Sequence, residues 1–544
     1  MNPHIQDGRP RALQALRAAL ALLFLLLVRP ALALELPGPL VSVEWLQQQL
    51  GREDLRLLDA SLPPQHAAGH VPGAVSVNLY GYAIHERSPA QMVELLRSWG
   101  LNPGQRIVVM DQGGDSMAPR VYYDLLRLGV PQQQLAILDG GLARWKALGG
   151  AVTKDATLAP APGQLQLGPL REELRVRLPE FLAASADPQR HALVEALEPE
   201  YHYGGRRFFD RAGHVPNAIL APSEDFFNAD KTFKSPAEIR RMALHLGIRP
   251  EQQVHAHCGG GVAAAVPFFA LRMLAGYPDV RLFQESQLAW LRDERQLPFW
   301  TYGRPQLLRE ADWLAGWDAP LLRRMGVTRI AVLDVREPAA FALGHLPHAQ
   351  NLPAGWIERH LHDPQALAAR LGQQGVRPED EAVIVGDGGI NEATALSLLA
   401  LEQLGQRQVA LLRQSVDEWG LRGQSLSRET LAAQPVAYAP RTRGGPLLRQ
   451  PGQGQGLYPR LYLVSGAERP TGLPAGELRQ LPYGELLQAD GAPKPAHEIW
   501  ALLKKAGVSR YAEIVCVGSR PGEAAVNYLL LRLMGFSDVK VLLP

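Results

Sequence analysis

A short block recurs four times in this chain of 544 residues, at intervals of about 130 residues. It reads Gly69-His70-Val71-Pro72-Gly73-Ala74, then Gly213-His214-Val215-Pro216-Asn217-Ala218, then Gly344-His345-Leu346-Pro347-His348-Ala349, and in eroded form Gly472-Leu473-Pro474. An apolar, strand-like run precedes each copy. About 42 to 45 residues after each leading glycine a second marker follows: an apolar strand, a glycine-containing loop, then a helical stretch. The four versions are "IVVMDQGGDSMAPRVYYDLLRLG", "VHAHCGGGVAAAVPFFALRMLAG", "VIVGDGGINEATALSLLALEQLG" and "IVCVGSRPGEAAVNYLLLRLMG". Each helix closes on a glycine (Gly129, Gly276, Gly405, Gly535), as a C-terminal cap does. A further short strand follows. Strand, helix, strand in this order is a βαβ unit and calls for a parallel sheet flanked by helices. A period this long is a domain rather than a solenoid repeat.

The expected fold is therefore α/β, with four tandem domains, each a parallel sheet flanked by helices, the last one degenerate. The expected boundaries are 38–155, 170–305, 306–430 and 458–544, with 431–457 as a flexible linker rich in proline and glycine. The fourth domain lacks the tryptophan-bearing helix that follows the last strand elsewhere (Trp145, Trp290, Trp419).

Residues 1–33 read as a signal segment. Arg9, Arg11 and Arg17 flank the apolar run Ala18–Val28, and Ala31-Leu32-Ala33 offers a cleavage site. The run is short for a bilayer core of about 30 Å. The expectation is a periplasmic or secreted protein without a membrane span after cleavage, and a membrane-anchored one if the segment is retained. The net charge is +2 and basic residues are scattered, which excludes a nucleic-acid footprint. There are two cysteines, Cys258 and Cys516. Export favours pairing them, whereas a fold that holds them apart leaves both free.

Counting back eighteen positions from each closing glycine reaches Asp111, Cys258, Asp387 and Val517. One loop of four carries a nucleophile. In an open parallel sheet, ligands bind beyond the carboxyl ends of the strands. A glycine loop there turns backbone N–H groups inward, and a thiolate in such a nest is favoured as any anion is. Cys258 is followed by Gly259, Gly260, Gly261, Val262 and Ala263, with no acidic side chain among them. The alternative is a buried cysteine serving as a small hydrophobe.

The block "GHVPGA", the opening "LVSVEWLQQQL" and "LDGGLARW" resemble the N-terminal domain of the rhodanese family of sulfurtransferases. "DFFNADKTFKSPAEIRRMALHLGIRPEQQVHAHCGGGVAAA" resembles the C-terminal domain of its tandem members, and "LDVREPAAFALGHLPHAQNLP" a further rhodanese domain. The resemblance implies transfer of a sulfane sulfur from a small sulfur-containing anion, such as thiosulfate or 3-mercaptopyruvate, to a thiophilic acceptor. The carrier would be a persulfide on Cys258, cradled by the backbone from Gly259 to Ala263. No cofactor is expected, and no metal either, because no Cys/His ligand spacing recurs. Asp111 and Asp387 would mark domains 1 and 3 as non-catalytic, and Val517 domain 4.

The chain departs from the family pattern at several points. Gly260 and Ala263 stand at the usual hydroxyl positions, and Glu195-Ala196-Leu197 replaces Asp-x-Arg, which survives as Asp334-Val335-Arg336 in domain 3. Asn217 stands where the family prefers glycine. Replacement cations are expected from Arg206, Arg207 and Arg211, with Arg211 nearest the block. His255 and His257 share one strand face and read as packing histidines. His70, His214 and His345 read as turn residues. Two other functions compete: a sulfur carrier or binding protein built of degenerate domains, with protein partners met through the extra domains, and a cysteine phosphatase. The phosphatase pattern needs an arginine where Ala264 stands.

Overall fold

The computed structural model describes residues 34–83, 87–155, 160–325, 327, 329–430, 432–442, 444–450, 453–454, 456–473 and 476–543. The expected signal segment, 1–33, lies outside the described residues, as does Pro474 of the eroded block.

Four five-stranded sheets follow one another, each with its strands in the order 1-5-4-2-3 and each strand pair parallel. In domain 2 the strands are Arg175–Val176, His191–Glu195, Ala218–Leu220, Gln253–His257 and Val280–Phe283. The fourth strand, Gln253–His257, runs through the middle of its sheet between the second and fifth. Its burial pattern is continuous, as a strand covered by helices on both faces requires. One compact unit contains domain 1 and the chain up to Arg171, and a second contains domains 2, 3 and 4.

The recurring block closes the first three domains. In domains 1 to 3 the histidine backbone bridges to the segment beyond the tryptophan helix: His70 with Thr153, His214 with Trp300, His345 with Ser427. The ring Nδ1–H then donates back to a carbonyl, that of His66, His202 or Phe341, at 2.8–3.0 Å. The ring itself stacks on the same residue, at centroid distances of 3.7, 3.6 and 3.8 Å. Each tryptophan donates its indole N–H to that closing segment, at Ala151, Pro298 and Ser425.

The repeats also form a higher-order pattern. Residues 221–248 ("APSEDFFNADKTFKSPAEIRRMALHLGI") share their layout with 481–508 ("LPYGELLQADGAPKPAHEIWALLKKAGV"). Both fold as a short helical turn (Ser223–Phe226, Tyr483–Leu486), a bridged turn (Phe227 to Phe233, Leu487 to Pro493) and a helix (Pro236–His245, Ala496–Lys505). Domain 4 is thus the counterpart of domain 2, and domains 3 and 4 repeat the layout of domains 1 and 2.

Within the second unit, the helix Glu392–Gln403 of domain 3 packs on Pro521–Leu533 of domain 4. Leu398, Leu399, Leu529 and Leu530 are fully buried there, each contributing about 1.5–3 kcal/mol through apolar burial. This core is continuous with Tyr203 and Leu220 of domain 2. The expected tether at 431–457 proves to be packed in its described part. The Val436 N–H bonds Gly372 O, Tyr438 donates to Gln406 at 2.8 Å, and Leu447–Leu448 forms the first strand of the fourth sheet. Proline and glycine there exclude helix, but they do not exclude contact.

Candidate active site at the Cys258 loop

The strand registers align the four loops. The N–H following the second strand donates to the last carbonyl of the fourth strand in every domain: Ala60 to Met110, Ala196 to His257, Val335 to Val385, Ser465 to Val517. The next residue is therefore Asp111, Cys258, Gly386 and Gly518. This corrects the count made from the closing glycines, which placed Asp387 and Val517 at the apex. The stretch from strand to closing glycine is one residue longer in domain 3 and one shorter in domain 4, so a fixed count slips. Cys516 lies inside the strand Glu513–Val517, fully buried, with its thiol pushed well up by burial. Both cysteines are free.

Domain 1 displays what the nest holds. The Asp111 carboxylate accepts the Gly113 N–H at 2.8 Å and the Ala118 N–H at 2.9 Å. In domain 2 the same apex carries sulfur: the Gly261 N–H donates to Cys258 Sγ at 3.0 Å. The N–H groups of Gly259, Gly260, Val262 and Ala263 meet no acceptor among the described residues. Gly261 is required by its backbone, with φ +84° and the site of a Cβ only 2.1 Å from the Gln284 carbonyl oxygen. Beyond the loop, the helix Ala265–Phe268 runs into a π-helical turn, Phe269–Leu274, a feature frequent near functional sites.

Ser286, which the sequence reading missed, completes the frame. It occupies the position of Gly141 in domain 1 and adopts a left-handed φ of +49°, close to the +55° of that glycine. Its hydroxyl accepts the Cys258 N–H at 3.1 Å, donates to Phe283 O at 2.7 Å and lies 4.0 Å from Sγ. The signal was available in sequence: a serine where domain 1 has the second glycine of "LDGG". The next residue, Gln287, gives its backbone N–H to Cys258 O and its side-chain amide to Glu195.

Glu195 explains how domain 2 tolerates Leu197 where domain 3 has Arg336. In domain 3 the Asp334 carboxylate is held by Arg336, with Nε–Oδ1 at 3.0 Å and Nη2–Oδ2 at 2.7 Å. In domain 2 the neutral donors His202 and Gln287 take both Glu195 oxygens. Burial drives the His202 pKa well below its ordinary value and raises that of Glu195. The carboxyl is satisfied, but no arginine charge comes with it. His257 is fully buried beside it, its pKa lowered to about 4 by burial, and both ring nitrogens are without hydrogen-bond partners among the described residues. His255 and His257 pack edge-on against Phe181.

The segment 195–214 is longer than its counterpart 59–70 in domain 1, and the extra residues reach the loop. The Phe208 ring, 47% exposed, lies over Gly259, whose Cβ would sit 2.5 Å from it. Arg206 lies over the Tyr201 ring and is 3.5 Å from Glu198. Arg207 is exposed, with no ion pair or hydrogen bond among the described residues. Arg211 has other work than the expected donor contact: it donates to Leu297 O at 2.8 Å and lies over Phe299, in the closing segment. Its position nearest the block in sequence draws it into that closure.

These features define an α/β protein of tandem parallel-sheet domains, one of which holds a buried cysteine sulfur in a glycine loop that donates the Gly261 N–H to it. The rhodanese-like domain model matches residues 42–148 and 319–422. A probable 3-mercaptopyruvate sulfurtransferase of Pseudomonas aeruginosa is 30% identical over 286 residues, covering 47% of this chain and 96% of that protein. The 3-mercaptopyruvate sulfurtransferase of Escherichia coli K12 is 25% identical over 274 residues, covering 46% and 94%. A sulfur carrier protein of Thermus thermophilus is 24% identical over 270 residues, covering 47% and 94%. Among solved structures, the 3-mercaptopyruvate sulfotransferase of Escherichia coli matches 46% of this chain and 98% of its own at 23% identity, with a TM-score of 0.42. The chain belongs to the rhodanese family of sulfurtransferases.

Proposed function

We propose that this chain is an exported sulfurtransferase that passes a sulfane sulfur from a donor such as thiosulfate or 3-mercaptopyruvate to a thiophilic acceptor through a persulfide on Cys258. The observation that carries the proposal is the loop itself. A sulfur sits at its apex with one N–H already on it and four neighbouring N–H groups unengaged. Such a nest stabilises the thiolate and, after transfer, the terminal sulfur of the persulfide.

With thiosulfate, the Cys258 thiolate attacks the outer sulfur. The S–S bond of the donor breaks, and sulfite leaves with the electron pair. With 3-mercaptopyruvate the C–S bond breaks, and pyruvate leaves after taking a proton. A nucleophile such as cyanide then attacks the terminal persulfide sulfur and restores the thiolate. No external oxidant or reductant is required. Ser286 holds the loop from below, Phe208 covers it, and Arg207 on the covering segment offers a guanidinium that is unpaired among the described residues. Export is part of the proposal on the strength of the leader segment at 1–33.

Incubation with thiosulfate or 3-mercaptopyruvate should add one sulfur atom to the intact chain, and Cys258→Ser should remove that uptake. No uptake from either donor, with no acceptor product, refutes the proposal. A second reading, a non-catalytic sulfur carrier, rests on Leu197 and the consequent lack of an arginine at the strand end. It predicts that Cys258 takes sulfur from a partner protein's persulfide but not from thiosulfate.

A further inference from the structure

A polar cavity lies in the same unit as the Cys258 loop, between domains 2 and 4. It encloses about 370 Å³ and collects residues of the edge strand Ala218–Leu220 and of the helix end Met534–Ser537. It also takes His191 and Gln252 from the amino ends of the strands that carry Glu195 and, beyond His257, Cys258 at their carboxyl ends. Its lining also includes His202, the donor to Glu195, but no residue of the sulfur loop 258–263. Three arginines, Arg249, Arg304 and Arg510, line it, and among the described residues no carboxylate does.

Two of these cations have partners. Arg249 is 3.0 Å from Glu251, and Arg510 is 3.6 Å from Asp225 and donates to Leu220 O. Arg304 has no ion pair or hydrogen bond for its guanidinium among the described residues. The carboxylate that acts on it, Glu402, already accepts from Tyr528 and faces Arg532 at 3.6 Å. Two arginines therefore share one glutamate. Burial and the Arg532 charge bring the Arg304 pKa down to about 10, and Arg532 Nε is itself buried without a partner among the described residues. The half-buried Arg304 guanidinium is thus short of counter-charge, which an anion in the crevice would supply.

We propose that this crevice is a binding site for a small oxyanion, a phosphate, sulfate or carboxylate group, with Arg304 as its principal ligand and Arg510 and Arg249 flanking it. The volume lies in the range of small-molecule sites, and the lining supplies charge of one sign. The fourth domain then has a role that needs no thiol: it builds one wall of the site. The ligand has two sources, a free inorganic ion or an oxyanion group on a small organic body, and they share this chemistry.

The test uses the full chain at low ionic strength. Inorganic phosphate and phenyl phosphate are titrated by calorimetry and by thermal melting, with sodium chloride as the control. Binding is expected for phosphate and not for chloride, with a loss of tenfold or more in Arg304→Gln. Because the unpaired charge is removed, Arg304→Gln should melt no lower than the parent without phosphate and should lose the phosphate-induced rise. Tighter binding of phenyl phosphate assigns the site to a small organic ligand, and equal or weaker binding assigns it to the free ion. The proposal is overturned if neither phosphate binds, if Arg304→Gln binds as the parent does, or if Cys258→Ser alone abolishes binding. The last result would place the anion in the sulfur loop. Sulfur uptake by Cys258 is read separately, so failure here leaves the sulfurtransferase reading intact.

Discussion

The three glycines after Cys258 should respond differently to the same change, and the contrast tests the loop geometry directly. At Gly261 an added Cβ would lie 2.1 Å from Gln284 O and 2.9 Å from its carbonyl carbon, with φ at +84°. The left-handed backbone alone costs an alanine about 1–2 kcal/mol. The clash is with backbone, which cannot rotate aside, so the loop must shift and the Gly261 N–H leaves Sγ. A hydrogen bond to a charged group contributes about 1.5–3 kcal/mol, so sulfur uptake in Gly261→Ala should slow by about tenfold to a hundredfold. At Gly260 nothing lies within 4 Å and φ is ordinary, so Gly260→Ala should load sulfur at the parent rate. At Gly259 the obstruction is the exposed Phe208 ring at 2.5 Å, which can swing away. Gly259→Ala should therefore change the apparent affinity for donor while leaving Tm near the parent value. The assay is a quenched time course of thiosulfate loading read by intact mass, with thermal melts alongside. Equal effects at all three positions, or parent-like loading and Tm in Gly261→Ala, would refute the account of the nest.

Further expectations concern the frame and the buried histidines. Ser286→Gly relieves the left-handed backbone but removes the hydroxyl that accepts the Cys258 N–H, so Tm should hold within a few degrees while loading slows. Ser286→Ala keeps the strain and loses the bond as well, so it should melt lower than Ser286→Gly. The pKa values of His214, His255 and His257 are lowered to about 3, about 3 and about 4 by burial, so all three are neutral in the folded state. The unfolded chain takes up protons near pH 6.5, so their contribution is complete above that value. It is lost as pH falls through the interval down to about pH 4 for His257, by about 3 kcal/mol, and down to about pH 3 for His214 and His255. Thermal melts between pH 7 and pH 4 should fall steadily, and His257→Phe should flatten the fall. An unchanged slope in that variant contradicts the burial assignment.

The four-domain plan was readable because its markers are local: a turn block, a strand, a glycine loop and a capped helix lie within short spans of each repeat. Cys258 stood out for the same reason. What could not be read depended on partners far along the chain. Ser286 reaches the sulfur from 28 residues away, through a backbone angle that a serine rarely adopts. Arg211 sits beside the block in sequence, yet its guanidinium is drawn to Leu297. The apex residues of domains 3 and 4 slipped by one because the path from strand to glycine cap differs in length, which only the strand registers reveal. The proline-rich stretch near Tyr438 looked like a tether because composition reports backbone preference and is silent on contact.

The shared core of domains 3 and 4 makes the chain less modular than its repeats suggest. A cut between these two domains would expose the buried faces of Glu392–Gln403 and Pro521–Leu533 together, so neither half would be a viable fragment. That core continues to Tyr203 of domain 2, whose hydroxyl donates to Met534 O at 3.1 Å and whose ring stacks on Trp500. Damage in the fourth domain, whose loop apex is Gly518 rather than a cysteine, would therefore reach a cell as a shortage of intact protein carrying Cys258, cleared by proteases, rather than as a defect in its chemistry.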